Sequence, residues 1–503
     1  MDRRLPRDYA VRLENDNFID SPTPIVHQHQ VYQFLSYIAD RAGTARIIDI
    51  GCGSGQKLAG LDNKFEIVGI DGEWARDLFR SAVPKAQFIA HDLEDGLPTL
   101  AREFYQNAVV VCSDVVEHIR KPEKLLGDLA AVSAASAYML LSTPDRVRAR
   151  GLLDQGPPAN KAHTMEWSAD EFGRFMLDCG FPRGFLLGYT LNNDRDLSKS
   201  TILAVAGREA TLSRPGAQKA VAAVVPVYNE SDVLEPTMRH LRSQGIDVHI
   251  IDNWSTDGSF ELGDRLVKAG ICKGIMRYPA RPIPYYDWTN ILRLVENHPA
   301  TLESDWTIFC DADELREAPW KGCRLAEAIS FVDSLGYSAI DFTVMNFLFT
   351  SGTQPFSSPA AMRFFDFGRH PAHLLQIKAW KNKGQQVDLA SSGGHDAKFS
   401  GRRLYPLKFL NRHYPLRSAE QATRKLFVDR FPRIEKERKE KGWHAHYDTY
   451  RAMSQIEPWR QFELQTFDDH MFYPEYLVER LSGIGIELEP RAIPNINSRL
   501  RQA

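Results

Sequence analysis

The sequence predicts two α/β domains in tandem, each a doubly wound, mostly parallel sheet between helices, with a helical extension at the C-terminal end. Three observations carry this reading. The chain has 503 residues, more than one ordinary hydrophobic core accommodates, so its length favours two or three domains, of which two is the simplest count. From Arg46 to about Ala206, short apolar runs alternate with segments of helical period, the pattern of an open parallel sheet with crossover helices. That alternation stops in the polar stretch REATLSRPGAQK, which carries Pro215 and Gly216, and restarts with the apolar run at Val221. The expected boundaries are a first domain over 1–209, a linker over 210–219 and a second domain over 220–503 that includes the helical extension.

In the first domain the runs RIIDI, EIVGI, QFIA, AVVVC, AYMLLS and TILAVA are the expected strands, with helices over Glu123 to Ala134 and Ala169 to Cys179. The segment RIIDIGCGSGQKL places Gly51, Gly53 and Gly55 between a strand and a helix, where backbone without side chains can approach a ligand closely. Its spacing is G-x-G-x-G, and the dinucleotide fingerprint requires the third glycine one place later, which argues against a dehydrogenase. Asp71 ends the second strand, suited to accept hydrogen bonds from both hydroxyls of a ribose, and Asp92 follows the third, in reach of an adenine amino group. Ser113, Asp114, Glu117 and His118 leave the fourth strand at its carboxyl end, where open α/β sheets hold ligands. Cys52 and Cys112 read as small buried residues.

Taken together, DIGCGSG, GID, HDLE and SDVVEHI resemble the class I methyltransferases over about residues 25 to 205. The resemblance implies a Rossmann-like fold with S-adenosylmethionine as cofactor. It implies that Asp49, Gly51, Gly53 and Gly55 line the methionine side, that Asp71 holds the ribose and that Asp92 reaches the adenine, with Ser113 beside them. GPPANKAHTMEWSADEF is similar to a segment whose histidine region covers the active site in some of these enzymes. For a hydroxyl acceptor, His118 and His163 are the candidate bases, against readings as a helix-start histidine and a surface loop histidine.

The second domain opens with VAAVVPV, a helical stretch from Asp232 to Arg242, the strand DVHIID, a helix near Ser259 to Lys268, and WTIFCDADE. Pro226, Tyr228, Asn229 and Glu230 leave the first strand where a nucleotide base and ribose fit, and Asp252 ends the next. The turn NWSTDGS reads equally as a structural loop. Asp311 and Asp313 form a D-x-D pair after an apolar strand; alternate positions face one side, so both carboxylates can meet one divalent ion, manganese or magnesium, bridging a diphosphate. This ordered set resembles the family 2 type glycosyltransferases with the A-type fold, over about 220 to 420. The resemblance implies an inverting transfer with Asp252, Asp311 and Asp313 in donor and metal binding, although the family's usual acidic base motif is not evident. GGHDAKF and NRHYPLRSAEQ stand in its place: His395 and Asp396 are candidate bases, His413 a candidate third metal ligand, and Arg417 and Arg424 candidate diphosphate contacts.

Composition narrows the partners. With 62 basic and 65 acidic residues, 43% hydrophobic and 25% charged, the chain lacks the positive bias of a nucleic-acid binder. No apolar run approaches a membrane span, the first residues lack the core of a signal peptide, and six dispersed cysteines suggest neither a disulfide framework nor a zinc ribbon, so a reducing cytoplasm is the expected compartment. Between Gly401 and His444, 13 Lys or Arg oppose 5 Asp or Glu, which suggests either a solvated face or a peripheral contact with phosphates of a lipid-linked acceptor or membrane. The expectation is a bifunctional enzyme that glycosylates and methylates a glycan or carrier lipid; the alternative is one catalytic domain with the other a binding or docking module.

Overall fold

The computed structural model describes residues 3–14, 16, 25–182, 185–195, 198–207, 218–298, 303–320, 322–353, 356, 358–367, 373, 375–443, 445–453, 455–469 and 471. The chain divides into two compact units, Met1–Ser213 with His470–Ala503, and Arg214–Asp469. Most of the expected linker and the end of the expected helical extension lie outside the described residues.

The first unit is built on seven strands: β1 Arg46–Ile50, β2 Glu66–Asp71, β3 Gln87–Ala90, β4 Ala108–Ser113, β5 Tyr138–Pro144, β6 Leu186–Thr190 and β7 Thr201–Ala206. Their order is β3-β2-β1-β4-β5-β7-β6, parallel as far as β5, with β7 and β6 antiparallel at the edge. β4 is buried at every position and β1 at all but its first, as expected for parallel strands covered on both faces. β6, by contrast, alternates buried and half-buried positions; its weak LLGYT pattern hides it from a reading based on apolar runs. Of the helices, Pro122–Ser133 starts with proline at its first turn, and Ala169–Asp178 starts with a capping box in which the Ser168 hydroxyl and the Glu171 carboxylate satisfy each other's backbone N–H groups. Met471 packs into this unit's core, and the expected end of the second domain at residue 503 lies outside the described residues.

The second unit contains β8 Val221–Val227, β9 Asp247–Asp252, β10 Gly274–Arg277, β11 Trp306–Phe309, β12 Glu314–Glu317, β13 Ala339–Leu348, β14 Phe364–Phe367, β15 Ile377–Lys381, β16 Phe409–Leu416 and β17 Gln465–Thr466. The order is β10-β9-β8-β11-β15-β13-β14-β17, with β16 bridging β12 and β13. β10, β9, β8 and β11 are parallel, whereas β15 runs antiparallel to both β11 and β13. β13 is almost wholly buried along its length and pairs within the sheet with β15, β14 and β16. Beyond residue 444, where a helical tail was expected, the described chain forms short turns and then β17, which adds to the edge of the sheet.

Candidate active sites

Parallel register gathers the first site. Ile50 of β1 stands opposite Ile70 of β2 and Cys112 of β4, so Gly51, Asp71 and Ser113 leave their strands at one edge. Gly51, Gly53 and Gly55 all have left-handed backbone, at φ 77°, 51° and 73°. At Gly51 a Cβ would also stand 2.3 Å from Val115 Cγ2, so any side chain there is excluded twice over. The Asp71 carboxylate accepts from the Gly53 N–H at 2.8 Å and the Gly72 N–H at 2.6 Å, and so shapes the glycine turn from beneath.

A cavity of about 1370 Å³ opens over this edge, lined among others by Gly51, Gly53, Asp71, Asp92, Ser113, His118 and His163. Asp49 and Gly55 are not in its wall. Asp49 is buried and accepts from the Tyr32 hydroxyl at 2.9 Å, and Gly55 faces Phe79 and Val83. Asp92 accepts from the Glu94 N–H at 3.0 Å, opening a short turn, and the Ser113 hydroxyl is hydrogen-bonded to that of Ser142. Trp74, exposed on the cavity wall, is a flat apolar surface that sequence patterning did not single out.

In the wall of the same cavity the two histidines stand edge to face, ring centroids 4.7 Å apart. His118 Nδ1 lies 3.0 Å from the Ala162 carbonyl, and His163 Nδ1 lies 2.6 Å from Glu166 Oε1. Burial, helped by neighbouring His163, lowers the His118 pKa to about 3, so the ring is held neutral. Burial also raises Glu166, but the His163 hydrogen bond and the Arg150 cation, 2.6 Å away, overcome it and hold the carboxyl below its usual range. Glu117, fully buried, is pushed far above that range by burial and by nearby Asp114.

A cavity of about 350 Å³ in the second unit is lined by Pro226, Tyr228, Glu230, Asp311, Asp313, His395 and His413, with Tyr286, Trp288 and Trp443 as aromatic walls. Strand pairing makes it: β12 runs antiparallel to β16, which sets Glu314 opposite His413 and brings the Tyr414 N–H to the Asp313 carbonyl at 2.8 Å. His413 Nδ1 donates to Asn346 Oδ1 at 2.7 Å, leaving Nε2 toward Asp313 Oδ1 at 3.6 Å. Asp311 is instead held by Lys378 at 3.0 Å, and the other Asp313 oxygen by Lys425 at 2.6 Å. Burial alone would raise Asp313, yet Lys425, His413 and Arg417 hold its carboxyl well below the usual range.

Several expected contacts fall elsewhere. Arg417 is 1% exposed and paired with Asp232 and Glu230, at 2.7 and 2.8 Å, and is not in the cavity wall. Arg424 donates to the Asn229 carbonyl at 2.9 Å, outside the cavity wall, and the Asn229 side chain bonds Asp429 at 2.7 Å. Asp252 is wholly buried and accepts from the Ser255 N–H; Asp396 is paired with Arg402 and lies outside the wall. Within the basic stretch, Arg402, Lys408, Arg412, Lys425 and Arg438 all pair with carboxylates of this unit, so part of the local excess is neutralised inside the fold. Among the described residues no helix is long and apolar enough to cross a membrane.

Comparison with known proteins bears on the first unit. Residues 27–182 match the family model described as a methyltransferase domain, and that span contains the glycine turn, Asp71, Ser113, His118 and His163. Two Mycobacterium tuberculosis proteins, from strains CDC 1551 / Oshkosh and ATCC 25618 / H37Rv, each carry the name "Probable S-adenosylmethionine-dependent methyltransferase". Both are 30% identical over 159 residues, 31% of this chain and 54% of theirs. The chain thus spans about half the length of these curated relatives. Among solved structures, a SAM-dependent methyltransferase from Aquifex aeolicus is 18% identical, covering 36% of this chain and 89% of its own, at TM-score 0.26. An O-methyltransferase from neocarzinostatin biosynthesis, in complex with S-adenosylmethionine and 2-hydroxy-5-methyl naphthoic acid, is 17% identical, covering 34% and 51%, at TM-score 0.24. The first unit carries a methyltransferase domain.

Proposed function

We propose that the first unit transfers a methyl group from S-adenosylmethionine to a hydroxyl of a glycan, and that the second transfers a sugar to a related acceptor from a nucleotide sugar. The observation that carries the first half is the side-chain-free turn at Gly51 and Gly53, tied to Asp71 and open to a cavity large enough for cofactor and acceptor together. In this reading Asp71 holds the ribose and Trp74 covers the adenine, and both line the cavity. The sulfonium is already activated, so this unit's task is alignment of the acceptor and loss of its proton, at the cavity wall where His118 and His163 stand.

The second half rests on the small cavity into which Asp313 and His413 face, beside Lys378, Lys425 and Arg430. Asp313 Oδ1 and His413 Nε2 are two acceptors suitably spaced for a divalent ion, and Asn346 fixes the imidazole, so these two side chains fit such an ion while Asp311 does not. When bound, the ion would neutralise charge on a departing nucleoside diphosphate. Lys378, Lys425 and Arg430 supply fixed positive charge for the same purpose, the aromatic walls suit the apolar faces of sugar rings, and His395 is the remaining base candidate in the wall. Cell-surface polysaccharide or glycolipid assembly is the setting that unites both reactions. A second reading, in which the second unit only binds, is favoured by the ion pairs that already engage Asp311 and Asp313.

Thermal shift of the whole chain with S-adenosylhomocysteine, and with a panel of nucleotide sugars with and without manganese, tests both halves, because a ligand selective for the native state raises the melting temperature. A shift with NAD but none with S-adenosylhomocysteine would overturn the methyl-transfer reading. If no nucleotide or nucleotide sugar shifts the protein, the sugar-transfer reading falls.

A further inference from the structure

We propose that Glu117, His118 and His163 form a divalent transition-metal site at the wall of the first cavity, with an open coordination position for the oxygen of the methyl acceptor. The metal site stands on the geometry alone; its role toward the acceptor rests on the methyl-transfer reading. One ligand atom from each of the three side chains lies within 4.8 Å of the others, and among the described residues they are the group of three metal-ligating side chains so gathered. Asp311, Asp313 and His413 do not gather in this way.

The hydrogen bonds prepare both rings. A backbone carbonyl can only accept, so His118 donates from Nδ1 to Ala162 and bears its lone pair on Nε2. Glu166, paired with Arg150, accepts from His163 Nδ1, and the Asn160 amide at 2.9 Å donates to Nε2, marking that nitrogen as the one with the lone pair. A carboxylate or carbonyl behind each imidazole is the arrangement that orients metal-ligating histidines. Glu117 supplies an independent sign of a missing cation. It is fully buried, Oε2 accepts from the Thr143 hydroxyl at 3.0 Å, and Oε1 has no hydrogen-bond partner among the described residues. Leaving such an oxygen unsatisfied is costly, and a metal ion removes the cost.

The chain joins the two halves of the cluster deliberately. Thr164, next to His163, donates its N–H to the Glu117 carbonyl at 2.7 Å and its hydroxyl to the same oxygen at 2.9 Å. Two imidazoles and one carboxylate suit zinc, manganese or ferrous iron better than magnesium or calcium, and three protein ligands leave positions open. His118 and His163 line the cavity, so those positions meet the acceptor. A hydroxyl bound there releases its proton to solvent more readily. Its oxygen then forms the new O–CH3 bond as the S–CH3 bond of the sulfonium breaks, and S-adenosylhomocysteine leaves as a neutral thioether.

The test uses the full chain stripped of metal and titrated with Zn²⁺ and Mn²⁺ by calorimetry, with Co²⁺ absorption reporting nitrogen ligation. In a His413→Ala background, which removes the imidazole ligand of the second unit, one ion per chain with a Co²⁺ spectrum of imidazole ligation is expected. His118→Ala, His163→Ala and Glu117→Gln should weaken it more than tenfold, and Glu166→Gln roughly tenfold through the ring it orients. Asp311→Asn should bind as the parent does. Binding unchanged in the histidine variants, or lost in Asp311→Asn, overturns the proposal. The Co²⁺ spectrum of the His413→Ala chain decides by itself if a variant of the cluster fails to fold: bands without imidazole character, or no binding, overturn the site. S-adenosylhomocysteine binding is measured on the same samples, so a failed metal site and a failed methyl-transfer reading give different results.

Discussion

At Asp71 a single carboxylate does two things, organising the glycine turn through Gly53 and Gly72 and facing the cavity. Asp71→Ala is therefore expected to weaken S-adenosylhomocysteine binding by tenfold or more, since charge-assisted hydrogen bonds are worth about 1.5–3 kcal/mol each. Calorimetry on the folded variant measures it, and unchanged affinity would remove Asp71 from the site. His29 makes a different prediction. It is fully buried, and burial lowers its pKa from 6.5 to about 4, against a weaker opposing pull from Asp194. The unfolded chain binds this proton more readily than the folded one, so stability is complete above pH 6.5 and falls as the pH drops toward 4. The slope from this one group approaches roughly 1.4 kcal/mol per pH unit. Melting of the first unit between pH 6.5 and 5, above most carboxylate titrations, should fall more steeply in the parent than in His29→Leu.

Among the elements, the strand-to-turn junction after β1 and the β12–β16 ladder each decide a site. Gly51→Ala must adopt φ 77° and meet Val115 at once, so beyond about 1–2 kcal/mol for the left-handed backbone the variant carries a steric clash. Its melting temperature should drop by several degrees and its S-adenosylhomocysteine affinity should fall with it; a variant as stable as the parent would mean that the turn is not held this way. In the second unit, residues Arg424–Arg430 form a π-helical turn, a geometry frequent at functional sites, and both Lys425 and Arg430 from it line the cavity. Lys425→Met is expected to free Asp313 from its closest cation and to lower nucleotide-sugar affinity at least tenfold, as judged by titration. Equal affinity would show that this turn serves packing alone.

For the whole molecule, each unit has its own sheet and its own buried core, and the two proposed activities should separate by substitution. Asp71→Ala should abolish methyl transfer and spare sugar transfer, and Asp313→Asn should do the reverse. Parallel assays of both activities on both variants decide it. If either substitution removes both activities, the reactions depend on one another and the assignment of one chemistry to each unit is wrong. Part of the local positive excess of residues 401–444 answers acidic groups brought from earlier in the chain: Arg417 and Lys425 both pair with Glu230 and Asp313.

The sequence alone determined the alternating elements of both units, the glycine turn, Asp71 at the end of its strand and the D-x-D pair, because each is local: apolar period, turn chemistry and strand ends are read within a few residues. It also left β6 unseen, whose half-buried pattern carries little local signal. Only the tertiary structure decided which charged groups share a site. Lys378 meets Asp311 from 67 residues away and Lys425 meets Asp313 from 112, on a strand and a turn whose sequences give no sign of a partner. Glu117 and His163 are joined through Thr164, 47 residues along the chain, and Arg417 is paired with Glu230 and Asp232 from far earlier in the chain. Electrostatic partnership depends on distance in space and on burial, and neither is a property of sequence spacing; they arise when parallel register and the β12–β16 ladder close the sheets.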